Sequence, residues 1–177
     1  MKTFLSLIIL LFASCNANKN LSFVVKNPIQ VNAKNCAQNG KCELKLTPNK
    51  SLVFKKDKFG NLYPEITDGE NTLLTYTFNR NPIKNTQDSN YTEIIYATLP
   101  KNIKEISLTD SELKQVNLHF ARLCFCKGET GYYPIENGTF KLTKTDKDSI
   151  KIACEFKVKN IPQVVSSFEE NISIKSN

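Results

Sequence analysis

Hydrophobic and polar residues alternate with period two through most of this chain, the pattern of strands with one buried face. The clearest run places Ile150, Ile152, Cys154, Phe156 and Val158 on one face and Lys151, Glu155, Lys157 and Lys159 on the other. Cys42 to Leu46 alternates in the same way, and Ser51 to Phe54 reads as a further strand after Pro48-Asn49. Leu21–Val25, Leu73–Phe78, Tyr91–Leu99, the Ile103-Ile106-Leu108 series, Thr139–Thr143 and Ile172–Ile174 complete the expected strands.

Turn-forming residues punctuate these runs: Phe59-Gly60-Asn61, Asp68-Gly69, Asn81-Pro82, Asn137-Gly138 and Thr145–Asp148. Asn137-Gly138 suits a type I′ hairpin, because both residues tolerate positive φ. Residues 80–90 form the most polar stretch and read as a long loop. Two segments carry helical signals. Thr109-Asp110-Ser111-Glu112 has capping-box spacing ahead of Leu113, Val116 and Phe120, although Val116, Leu118 and Phe120 also alternate. Pro162–Asn171 fits one short helix with proline in its first turn. Short strands at this spacing predict a mainly β chain, an antiparallel β-sandwich or barrel-like domain over 21–177 with room for one short helix.

The amino terminus departs from that pattern. Lys2 precedes an apolar run from Phe4 to Phe12 that only Ser6 interrupts. A helix needs about 20 apolar residues to span a bilayer, so this run is too short and reads as a secretion signal. Leu11-Phe12-Ala13-Ser14-Cys15 resembles the lipobox of bacterial lipoproteins, with Phe12 where leucine is usual. The resemblance implies cleavage before Cys15, diacylglycerol on its thiol and an acyl chain on the new amine. Residues 1–14 are then the signal peptide and 15–20 a polar tether. An ordinary signal peptide cut near Ala17 would discard Cys15 instead. The resemblance further implies a bacterial envelope protein, periplasmic or at the outer membrane, held to a membrane by its lipid anchor.

Composition narrows the remaining possibilities. The 177 residues include 24 Lys+Arg and 17 Asp+Glu, a net charge of +7, with 40% hydrophobic residues. That balance is globular and excludes wholesale disorder. The basic residues are scattered, as on a solvated strand face, and no base-stacking motif accompanies them, so nucleic acid is not an expected partner. An anionic lipid, glycan or polyanion surface fits the charge better.

Candidate chemistry centres on the cysteines. Cys36 and Cys42 flank the turn sequence Ala37–Lys41, and a bridge there would stabilise by roughly 2.4 kcal/mol in the chain-entropy account. Cys124 and Cys126 in a regular strand would have Cα atoms about 7 Å apart, so a direct bridge requires a bend. A bridge from either to Cys154 is the expectation, leaving one buried thiol. The alternative is a thiol site, either metal binding by His119, Cys124, Cys126 and Cys154 or disulfide exchange in the same region. Tyr132 and Tyr133, after the glycine-bearing segment Lys127–Gly131, are candidate ligand-gripping aromatics. His119 is the only histidine, and no Gly-x-Ser-x-Gly or His-Glu-x-x-His motif occurs. No catalytic set and no cofactor are therefore expected. The reading is a non-enzymatic binding or scaffolding protein with an envelope glycan or protein as partner.

Overall fold

The computed structural model describes residues 22–174. The expected signal peptide (1–14), Cys15 and the expected tether lie outside the described residues. Eleven strands and one 3-10 helix make up the described fold. The strands are β1 (Ile29–Asn32), β2 (Gly40–Lys56), β3 (Leu62–Asp68), β4 (Asn71–Arg80), β5 (Tyr91–Leu99), β6 (Ile106–Thr109), β7 (His119–Cys124), β8 (Gly131–Pro134), β9 (Gly138–Asp146), β10 (Ser149–Phe156) and β11 (Ser167–Ser173). The 3-10 helix runs Asp110–Val116, and the Glu112 carboxyl accepts a hydrogen bond from the Thr109 N–H at its start.

Two antiparallel sheets face each other. The larger is ordered β1-β2-β4-β5-β7-β8, with β3 added to the far half of β2, and the smaller is β11-β10-β9-β6. The architecture is an open sandwich, not a closed barrel. Its core lies between the sheets, where Leu44, Leu74, Tyr76, Ile95 and Phe120 meet Phe140, Leu142, Ile152, Phe156 and Phe168. Tyr76 stacks on Phe168 at 4.2 Å, and Phe120 approaches Phe156 at 5.7 Å, so aromatic pairs join the two layers.

β2 is one long strand rather than two. A bulge between Thr47 and Lys50, with Asn49 at φ 58°, carries the chain past Pro48 without ending it. Beyond the bulge, β2 and β3 form a hairpin that folds over the outer face of the large sheet. There Leu52 and Phe54 close a second, smaller core with Leu73, Tyr96, Ala121 and Tyr132. The Asn117 amide donates to the Leu52 carbonyl oxygen at 3.2 Å and pins the hairpin down.

Four expectations need correction. Residues 167–173 are strand β11 and not part of a helix. Phe168, Glu170 and Ile172 all point inward, and the buried Glu170 (3% exposed) hides the alternation. Asn137-Gly138 forms no hairpin turn, because β8 and β9 belong to different sheets. Gly138 instead lets β9 approach β10, where a Cβ would strike the Glu155 carbonyl and the Phe156 Cα. Residues 22–25 form no strand, and only Phe23 bridges to Ile103. The cysteine pairing also differs, as the site geometry shows.

Candidate functional site

Cys36 and Cys42 are bonded, as their turn spacing predicts. Cys124 pairs with Cys126 and not with Cys154. β7 ends at Cys124 and the chain bends at Phe125, so the two Cα atoms close to 5.2 Å instead of the separation of a regular strand. Cys154 sits on β10 in the other sheet, faces the core and remains a thiol. Burial pushes that thiol up to about 12, with a smaller push from Glu155, so it is not a reactive thiolate near neutral pH. The proposed ligand set of His119, Cys124, Cys126 and Cys154 is therefore not assembled. Two of its sulfurs are bonded to each other, and the other two groups belong to different sheets. For the same reason Cys154 cannot act as a resolving thiol for the Cys124–Cys126 pair.

Both disulfides lie at one end of the large sheet. Cys42 pairs with Phe78 and Phe78 with Glu93, while Cys124 pairs with Tyr91 two residues along. A buried polar network crosses the same end. Glu93 is fully buried and accepts from the Val164 and Val165 N–H groups at 2.7 Å each and from the Tyr91 hydroxyl. The Tyr91 hydroxyl accepts from Arg122 Nε at 3.2 Å, and Arg122 pairs with Glu129 at 2.7 Å. Arg80 lies over the Tyr91 ring at 3.9 Å. Burial, helped by the Glu93 bond, raises the Tyr91 phenol above its ordinary value. Every polar group here is matched to a partner within the fold, so the cluster fastens the 157–166 connection to β5.

At the other end of β7 the geometry is more open. A pocket of about 510 Å³ lies between the 3-10 helix and the segment that joins β8 to β9. Leu118, Pro134 and Ile135 supply its apolar wall, while Asp110, Lys114, Asn117, His119, Glu136 and Asn137 supply polar groups. Its volume is that of an ordinary small-molecule site. Two of its residues hold left-handed backbone, Asp110 at φ 48° and Asn117 at φ 49°. The Asp110 carboxyl accepts from the Gly138 N–H at 2.9 Å and fixes the helix start against β9. Such conformations persist only where surrounding bonds hold them.

His119 is among the residues that line this pocket. Its ring stacks on Phe54 at 3.8 Å and 12°. Its Nδ1 lies 3.0 Å from the Asn117 carbonyl oxygen, which can only accept, so Nδ1 carries the proton. Nε2 has no partner among the described residues and presents a lone pair. Burial lowers the imidazole pKa below its usual value and favours the neutral ring, opposed in part by the Asn117 bond.

The candidate tyrosines divide. Tyr132 packs on the outer face with Phe54 and Tyr96 and backs the His119 stack. Tyr133 turns to the opposite face and packs against the main core. Neither lines the pocket, so their role there is support. His119 was visible in the sequence as the only histidine, but its polar neighbours from 110–117 and 134–137 meet only through the crossing between sheets. A larger depression, about 690 Å³, lies on the outer face of the small sheet. Most of its lining is outward-pointing polar side chains, with Lys151 and Glu169 already paired at 2.8 Å, and it reads as a solvated sheet face. No protein-family model, curated protein or solved structure matches the chain.

Proposed function

We propose that the protein is a lipid-anchored, non-enzymatic binding protein of the bacterial envelope, and that it binds a glycan at the His119 pocket. The observation that carries this reading is the convergence of carboxyl, amide and imidazole groups on one apolar wall. A sugar ring presents both kinds of surface, hydroxyls at its rim and C–H groups on its face. Asp110, Glu136, Asn117 and Asn137 offer acceptors and donors for hydroxyls, His119 Nε2 offers an acceptor, and Leu118, Pro134 and Ile135 meet the apolar face. The lipobox resemblance at Leu11–Cys15 supports the anchor, and two local disulfides suit an oxidising compartment.

The anchor is tested by mass spectrometry of the mature amino-terminal peptide, which should begin at Cys15 and carry acyl mass. The pocket is tested by following the His119 ring proton signals of the full-length protein during titration with envelope oligosaccharides. Saturable shifts should appear and weaken at least tenfold in Glu136→Ala and Asn137→Ala, both exposed residues whose loss leaves the core intact. A His119 signal that no oligosaccharide moves would overturn the glycan reading.

A further inference from the structure

The β2–β3 hairpin covers the second core with one face and projects its tip beyond it. Residues 55–61 are all exposed, and Phe59 at the apex is 77% exposed. Asp57 builds this tip. Its Oδ1 accepts from the Phe59 and Asn61 N–H groups at 2.8 Å each, its Oδ2 accepts from the Asn61 amide, and its backbone closes the turn with Gly60 and Asn61. These bonds hold the Asp57 carboxyl below its ordinary pKa, led by the Asn61 N–H. The only acidic group of the tip is therefore engaged by the backbone of its own turn, though still exposed, and an aromatic ring is held outward.

The charges around that ring are basic. Lys58 Nζ lies over the Phe59 ring at 5.0 Å. Lys55 is paired with Glu65 at 2.6 Å, while Lys56 and Lys58 make no ion pair among the described residues. Val53 (50% exposed) and Tyr63 (42% exposed) share the outward face of the hairpin and extend its apolar surface toward the apex. An exposed aromatic ring flanked by unpaired lysines on a preorganised turn matches the boundary of an anionic bilayer. The ring enters the acyl boundary and the ammonium groups meet phosphate.

We propose that the β2–β3 tip docks on the surface of an anionic membrane, with Phe59 inserted at the interface and Lys56 and Lys58 on lipid phosphates. The proposal draws on the anchor reading for proximity alone. The seven steps along the chain from Cys15 to Ser22 reach at most about 25 Å fully extended, which keeps the domain beside the bilayer.

The chain contains no tryptophan, so Phe59→Trp places a single reporter at the apex. The full-length protein is reconstituted with phosphatidylcholine vesicles and with vesicles also containing phosphatidylglycerol and brominated acyl chains. On the anionic vesicles the emission should shift to the blue and be quenched by bromine. A control Ile83→Trp, at an exposed residue of the 81–90 connection, should stay water-like. Lys56→Gln and Lys58→Gln should each weaken the tip contact about fivefold, and added salt should act in the same direction. Flotation with neutral vesicles reports the anchor separately. If it fails there, tip docking still predicts salt-sensitive flotation with anionic vesicles. A water-like Phe59→Trp signal on anionic vesicles with which the protein floats would overturn the proposal. So would a blue shift that needs no vesicles and grows with protein concentration, which would make the tip a contact between copies of the chain.

Discussion

Glu93→Gln is a small perturbation with a large expected effect. The side chain keeps its shape, but one acceptor oxygen becomes a donor. In the native fold Glu93 Oε1 accepts from Val164 N–H and the Tyr91 hydroxyl, and Oε2 accepts from Val165 N–H. If the amide oxygen of glutamine replaces Oε1, the Val165 N–H faces a second donor. If it replaces Oε2, the Val164 N–H and the Tyr91 hydroxyl do. Either way at least one buried donor is orphaned, because Tyr91 and Val165 are 6% and 4% exposed. A hydrogen bond to a charged group together with the cost of an orphaned buried donor gives a loss of roughly 2–4 kcal/mol. For a chain of this size that lowers Tm by about 4–16 °C. Urea denaturation should show a lower midpoint with an unchanged slope. Native-state hydrogen exchange should show the Val165 amide losing protection more than the amides of β5 and β7. A loss under about 1 kcal/mol with unchanged exchange at Val165 would refute the claim that Glu93 fastens the 157–166 connection.

Two further predictions follow from the buried titratable groups. The lowered pKa of His119 means that the unfolded chain takes up its proton first as pH falls below about 6.5. Its contribution is therefore constant above that value, and stability drops as pH falls from there toward the folded pKa; His119→Gln should flatten this part of the stability profile, read from urea midpoints between pH 7 and 5. Cys154 should resist maleimide in the native protein and take one label after denaturation without reductant, whereas labelling at Cys124 or Cys126 under those conditions would contradict the observed pairing.

Strands β9 and β10 could be read directly from sequence, because the buried Phe140, Leu142, Ile150, Ile152, Cys154 and Phe156 alternate with mostly polar outward residues. The Cys36–Cys42 bridge was equally accessible, since a turn sequence separates the two residues. β3 was missed because Pro64 interrupts it. Proline is tolerated there because β3 pairs on one side with β2 and needs no second set of backbone partners at that point. β11 was obscured by Glu170, a carboxyl group in an inward position that accepts from the Lys34 N–H and whose pKa burial raises. The bend at Phe125 is a backbone event with no residue signature, and it decided the cysteine pairing. The His119 pocket was half visible. The histidine stood out, but the groups around it converge only because the chain changes sheets twice, before β7 and again after β8.

The placement of the two disulfides has a consequence for how the chain oxidises. Their partners are six and two residues apart, so each thiol finds its mate by closing a very short loop. Such encounters precede the long-range pairing of strands that assembles the sandwich. The odd cysteine, Cys154, is withdrawn into the interior as β9, β10 and β11 come together, beyond the reach of either pair. Neither bridge joins one sheet to the other, so cohesion between the layers rests on apolar contact and on a few buried hydrogen bonds such as those of Glu93 to the 157–166 connection. Oxidation can therefore finish early, and it does not have to wait for, or correct, the global topology.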